Sequence, residues 1–203
     1  MNEKRWRWGV LSTANIGRTR FIPALQSMPN VKVVAVASRN LQAAEVFAEE
    51  CGIPRAYGSY QELLEQPDID ILYNPTPNHL HVPLSIQALE HGKHVLCEKP
   101  IALTTGELEQ LVQAQQQYPL ARVMEGFMYR FHPQWRYICA LIRDQIIGKV
   151  THVHSIFTYF NDDPQNVRNQ DDLGGGGLLD IGCYCVDVAK MIFNKKPISA
   201  QSH

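Results

Sequence analysis

Up to residue 125 the sequence alternates short, β-branched apolar runs with stretches of helical periodicity, and that rhythm constrains the fold more than any other feature. RWGVL (7–11), VKVVAVA (31–37), DILYN (70–74), HVLC (94–97) and ARVME (121–125) read as strands. Near-continuous apolar runs suit strands buried on both faces, as in a parallel sheet with helices above and below. The intervening helices have readable ends. Asn40 is placed to cap a helix over 41–51 that Gly52 and Pro54 stop, and a helix over 79–91 closes at Gly92. Thr104 and Glu107 form a capping box, with Leu103 and Leu108 as its hydrophobic staple. Right-handed crossovers then bring the loops after the strands to one edge of the sheet, where open α/β sheets bind ligands.

From residue 126 the rhythm changes. A helical stretch, HPQWRYICALIRDQI, leads to an alternating segment, KVTHVHSIFTYF (149–160), which predicts a long strand. A polar loop, four glycines and a helical LLDIGCYCVDVAKMIF follow, and KKPISAQSH reads as the start of another strand. One strand and two helices make an incomplete second α/β layer, with an exposed edge and an uncovered apolar face.

The totals exclude several function classes. A net charge of −1 over 203 residues argues against a large electrostatic interface with nucleic acid or anionic membrane. No apolar run approaches the roughly 20 residues that span a bilayer, and the start, MNEKRWRWGVLS, lacks the apolar core of a signal peptide. Five scattered cysteines, an odd number, fit a reducing compartment, so a cytoplasmic location is expected. Cys183 and Cys185 point apart on a helix. The pairs His79/His81 and His152/His154 have no further ligands at zinc spacing, so no metal site is expected.

Five stretches could carry chemistry. In GVLSTANIG the register of a G-x-G-x-x-G turn falls on Ser12, Ala14 and Gly17, with small residues in place of two glycines. Ser12, Thr13, Ala14, Asn15 and Ile16 would line a pyrophosphate there, though the stretch also reads as an ordinary strand-to-helix turn. After the second strand stand Ser38 and Arg39 with no carboxylate nearby. An acidic residue here would bind a ribose 2′-hydroxyl, whereas an Arg accommodates a 2′-phosphate; a solvated surface Arg is the bland alternative. Asn74-Pro75-Thr76-Pro77-Asn78 is a rigid turn that could line a nicotinamide or cap the next helix through Asn78. In HVLCEKP, Lys99 follows an apolar strand directly; beside a nicotinamide it can exchange a proton with a substrate oxygen while Glu98 accepts from a ribose, and otherwise it is an exposed strand-end Lys. In GGGGLLDIGCYCVD, Asp180 and Tyr184 are four apart and share a helix face, or are a face charge and a core aromatic.

Taken in order, WGVLSTANIG, VAVASRN, AYGSYQELL, NPTPNHLH, GKHVLCEKP, MEGFMYRFHP and GGGGLLDIGCYCVD resemble the Gfo/Idh/MocA oxidoreductases over essentially the whole chain. The nearer likeness is to the branch with glucose–fructose oxidoreductase, dimeric dihydrodiol dehydrogenase and NADP-dependent D-xylose dehydrogenase. The resemblance implies a Rossmann domain over 1–125 that binds NADP(H) in preference to NAD(H). Its cofactor contacts would come from the residues above together with Pro75, Thr76, Asn78, His81, Glu98 and Lys99. It implies a C-terminal α/β domain over 126–203, shorter than in the family, that holds substrate and forms a homodimer where its open sheet is complete. Lys99, Tyr184 and Asp180 match the catalytic positions, and Arg130, Asp180 and Tyr184 the substrate side. Many members carry His where Tyr184 stands, whereas the named branch carries Tyr. The implied activity is hydride transfer between nicotinamide C4 and a sugar, polyol or related diol or carbonyl compound. A non-catalytic NADP(H)-binding sensor, or an inactive fragment, is the alternative.

Overall fold

β1 (Trp6–Leu11), β2 (Val31–Ala37), β3 (Ala56–Tyr57), β4 (Ile71–Asn74), β5 (His94–Cys97) and β6 (Val123–Glu125) form one parallel sheet in the order β3-β2-β1-β4-β5-β6. The computed structural model describes residues 5–201, which divide into one unit ending at Gly126 and another beginning at Phe127. Each expected strand of the first unit is present, and the two-residue edge strand β3 is an addition. The order is that of a doubly wound dinucleotide-binding sheet, which changes winding direction between β1 and β4 and opens a crevice there.

Helices cover both faces because alternate strand residues point to opposite sides. Val10, Val36 and Tyr73 pack with α1 (Ile22–Gln26) and α2 (Leu41–Cys51) through Ile22, Leu25 and Phe47. Leu11, Ala37, Leu72 and Val95 pack with α3 (Tyr60–Leu64) and α4 (His81–Glu90) through Leu63, Leu64, Leu84 and Ala88. α5 (Thr105–Gln117) adds Leu111 and Ala114 against Val82 and Leu89 of α4. The alternation is reset once. Trp8 pairs with Val33 but Gly9 pairs with Ala35, which leaves Val34 as a bulged residue. Its carbonyl is recovered by Arg55 Nε at 3.3 Å, and Arg55 is itself forked onto Asp68 at 2.9 and 2.8 Å.

The helix ends follow local chemistry. Asn40 Oδ1 accepts from Ala43 N–H at 3.1 Å, and Gly52 ends α2 with φ +63°. Thr104 Oγ1 accepts from Glu107 N–H at 3.1 Å, while the Glu107 carboxylate reaches back to Leu103 N–H at 2.8 Å. α4 starts later than expected: a 3₁₀ turn over Asn78–Leu80 precedes it, and its first α-helical residue is His81.

In the second unit, α6 (Pro133–Arg143) begins behind His132, and α7 (Cys183–Phe193) continues from a π turn over Leu178–Gly182. The strand expected over 149–160 is not formed, and residues 195–201 form none either. The physical reason is the missing neighbour. A strand is completed by another strand's N–H and C=O groups, and the described residues of this unit offer none. Ile156 and Phe160 are accordingly 75% and 85% exposed. Among the described residues, no helix is long and apolar enough to cross a membrane.

Gly9 is required by packing. A Cβ there would stand 2.8 Å from Leu72 Cδ2 and 3.0 Å from Leu63 Cδ2. Gly9→Val should therefore destabilise the first unit by about 1–3 kcal/mol through overpacking, read as a lower urea midpoint at unchanged slope.

Candidate active site

Five loops leave the carboxyl ends of the parallel strands at one edge of the first unit. The turn after β1 is shaped by Ser12, whose φ is +100°. Its hydroxyl accepts from Ala14 N–H at 3.2 Å, and Gly17 N–H returns to the Ala14 carbonyl at 3.0 Å. Thr13, Ala14 and Ile16 are half-buried and Asn15 is exposed. Asn15 receives Arg18 at 3.1 Å, and Arg18 pairs with Glu50 at 2.8 Å. A cleft of about 410 Å³ opens beside this turn, lined by Thr13, Arg18, Asn40, Gln42, Phe47 and Glu50 among others. After β2, Ser38 Oγ accepts at 3.3 Å from the N–H of Asn40, which lines the cleft, and Arg39 is exposed. Small residues in the turn, a polar cleft next to it and a guanidinium at the end of β2 fit a phosphorylated adenosine nucleotide.

The turn after β4 is held from behind. Asn74 is fully buried; its amide donates to the His81 carbonyl at 3.2 Å, and its Oδ1 accepts from Thr76 Oγ1 at 2.7 Å. Pro75 and Thr76 are buried, and Asn78 is half-buried. His81 is 1% exposed, with Nδ1 at 2.8 Å from the Pro100 carbonyl and Nε2 at 2.8 Å from the Thr76 carbonyl. His81 stands among the expected cofactor contacts; both of its ring nitrogens face backbone, and the residue braces one loop against the next. Burial pushes its pKa down, and the two carbonyls partly oppose that shift.

Those same contacts fix the loop after β5. Glu98 N–H donates to the Asn74 carbonyl at 3.0 Å, and Tyr73 donates its hydroxyl to Glu98 Oε1 at 2.7 Å. Burial, then the Glu98 carboxylate, drives the Tyr73 phenol well above its ordinary range, so it stays protonated and donates to Glu98. Lys99 is half-buried and joined to Pro100 by a cis peptide bond. Glu125 accepts from Ile101 N–H at 2.9 Å, and Gly126 N–H donates to the Cys97 carbonyl at 2.7 Å. The backbone of the Glu98–Lys99–Pro100 loop is therefore tied from β4, α4 and β6.

In the second unit Asp180 is 9% exposed; its carboxylate accepts from Arg168 Nε at 3.1 Å and from the Tyr159 hydroxyl. Tyr184 stands in a ring cluster with Phe127, Tyr129 and Phe157, at centroid distances of 5.3, 5.7 and 5.7 Å. Arg130 is forked onto Asp187, with Nε at 2.7 Å, and Tyr129 donates to the same carboxylate. Arg168, Tyr159 and Asp187 are additions to the residues read from the sequence. Asp187 had a signal, since 180, 184 and 187 recur at helical spacing. Among the described residues, no group of three or more His, Cys, Asp or Glu is arranged to hold a metal ion.

Residues 6–127 match the family model described as "Oxidoreductase family, NAD-binding Rossmann fold", and residues 135–203 match a GFO/IDH/MocA C-terminal domain. The chain is 41% identical over 197 residues to a trans-1,2-dihydrobenzene-1,2-diol dehydrogenase of Xenopus laevis, covering 95% of this chain and 58% of that protein. It is 38% identical over 185 residues to a D-xylose 1-dehydrogenase (NADP(+)) of Haloferax volcanii, covering 91% of this chain and 56% of that one. The crystal structure of a 3-ketoreductase from Actinomadura kijaniata in complex with NADP and TDP-benzene superposes with a TM-score of 0.83 at 34% identity, covering 94% of this chain and 58% of that chain. The chain thus spans little more than half the length of these relatives.

The Asp187 cluster sets a pH dependence. Burial raises the Asp187 pKa, but hydrogen bonds from Arg130 and Tyr129 outweigh it and leave the group below its ordinary value. A depressed folded pKa contributes stability above the unfolded pKa of about 3.9 and loses it as pH falls through the folded value. The stability difference between wild type and Arg130→Gln, followed by urea titration, should be largest near neutral pH and shrink below about pH 4.

Proposed function

The chain belongs to the GFO/IDH/MocA oxidoreductase family, and from that premise we propose that it is an NADP(H)-dependent oxidoreductase acting on a sugar, polyol or related diol or carbonyl compound. The observation that carries this reading is the convergence at one sheet edge of the Ser12 turn, the Ser38–Arg39 strand end and the braced loop bearing Lys99. Relatives named as a diol dehydrogenase, an NADP(+) xylose dehydrogenase and a 3-ketoreductase crystallised with NADP support the reaction class and the cofactor.

Each residue has a role in this reading. Thr13 to Ile16 present backbone N–H groups to the pyrophosphate, and Arg39 with Ser38 selects a 2′-phosphate over a bare ribose. Pro75, Thr76 and Asn78 line the nicotinamide side, and His81 supports them. NADP(H), when bound, supplies or accepts the hydride at C4. Glu98, oriented by Tyr73, accepts from the ribose, and Lys99 gives or takes the proton of the substrate hydroxyl. Tyr184 is assigned to proton handling, Asp180 to orienting substrate and Arg130 to binding it. The location is cytoplasmic, in keeping with five scattered cysteines, an odd number, and the working form is a homodimer.

Fluorescence titration should give tighter binding of NADPH than of NADH, with the preference lost in Arg39→Ala. Lys99→Met should lower turnover of a responsive sugar or diol about 10²- to 10⁴-fold, with NADPH affinity little changed. Near-full activity in that variant refutes the assigned role. NADPH binding with no turnover across a sugar and diol panel favours the sensor reading.

A further inference from the structure

Ser12 holds a backbone conformation that glycine adopts freely and serine does not, with φ at +100°. A strained residue of this kind persists where its surroundings over-determine it. Three bonds do so here, and they run to three different places. The Ser12 N–H donates to the Ala37 carbonyl at 2.8 Å, at the end of β2. Its Oγ accepts from Ala14 N–H at 3.2 Å, within its own turn. The hydroxyl proton points to the Pro75 carbonyl at 3.3 Å, in the turn after β4.

The last bond is the informative one. β1 and β4 are neighbours in the sheet, and the winding direction reverses between them. The crevice at such a switch point is where a dinucleotide lies, with its adenosine half over one set of loops and its nicotinamide half over the other. The Ser12 hydroxyl spans that crevice. A glycine here would make the same turn without strain and without the crossing bond.

We propose that Ser12 is a positioning residue whose hydroxyl ties the phosphate turn after β1 to the Pro75–Thr76 turn after β4 and sets the spacing of the two cofactor half-sites. The inference rests on the reading of this edge as an NADP(H) site and adds the coupling between its halves. Loss of the hydroxyl removes one contact within the phosphate turn, to Ala14 N–H, and the tie to Pro75. The phosphate turn keeps its Ala37 and Gly17–Ala14 backbone bonds, whereas the Pro75 turn keeps only its ties to Asn74 and α4 and loses its link to the turn after β1. Binding of the whole dinucleotide then suffers more than binding of its adenosine–pyrophosphate part.

The test compares NADPH with 2′-phospho-ADP-ribose, which lacks only the nicotinamide ring, by calorimetric titration of the full chain as wild type, Ser12→Ala and Ser12→Gly. Both variants should bind NADPH about fivefold more weakly, the order expected for one hydrogen bond, with 2′-phospho-ADP-ribose held within about twofold. Ser12→Gly should also melt at a higher temperature than Ser12→Ala, since it alone releases the strain. Equal weakening of the two ligands in either variant, or no weakening of NADPH, overturns the coupling role. A wild-type chain that binds neither ligand overturns the cofactor reading itself and the inference with it.

Discussion

A parallel sheet whose strands stop at a common edge leaves its last N–H and C=O groups without ladder partners, and each such buried group costs about 1–3 kcal/mol if unpaired. The first unit meets this constraint by extending the ladder one residue past the strands. Ser38 N–H reaches the Tyr57 carbonyl, Ser12 N–H the Ala37 carbonyl, Glu98 N–H the Asn74 carbonyl and Gly126 N–H the Cys97 carbonyl. Four loop starts are thereby locked to their neighbours before any side chain is considered. The functional edge thus inherits its geometry from the sheet up to the first residue of each of these loops.

Side chains then fix what the backbone leaves open. Tyr73 lies on the sheet face, stacked on Phe21 with ring centroids 3.7 Å apart, and its hydroxyl emerges at the edge to orient Glu98. His81 bridges two carbonyls from the floor of α4. A neutral imidazole has one N–H to offer two acceptors, and the imidazolium has two. Burial favours the first state and the carbonyl pair the second. The brace is thus a compromise between desolvation and hydrogen bonding. The second unit obeys the same backbone rule in the negative. The 149–160 segment has a strand's alternation but no neighbour among the described residues to complete a ladder, and it forms no regular structure.

What the sequence discloses follows the range of the forces involved. Strand runs, the Asn40 and Thr104 caps and the Gly52 terminator are local, and they appear where composition puts them. Ser59 and Glu62 carry the same capping signal for α3, with Ser59 Oγ accepting from Glu62 N–H at 3.2 Å, so that helix was open to reading too. β3 was not, because two residues have no periodicity and owe their strand character to β2 alone. The Val34 bulge, the Arg130–Asp187 fork and the Arg168–Asp180 contact depend on partners 10 to 60 positions away, where spacing along the chain gives no measure of distance.

The two lysines that bracket β5 make the limit concrete. Lys93 and Lys99 both sit at ends of one short apolar strand, and composition alone treats them alike. Lys93 is 3% exposed, and its ammonium donates to the carbonyls of Gln66 and Ile69, the latter at 3.1 Å. Burial pushes its pKa down while Asp68 and Asp70 pull it back, and the cation is consumed in closing the amino-terminal edge of the sheet. Arg7, Asp68, Asp70 and Arg55 pair around it, so charge at that edge serves the fold. Lys99 follows the strand at the opposite edge, between Glu98, whose carboxylate the Tyr73 phenol holds, and Pro100. Which end of a parallel strand a lysine occupies decides whether it faces the crossovers or the crevice, and strand direction relative to the switch point is a property of the assembled sheet.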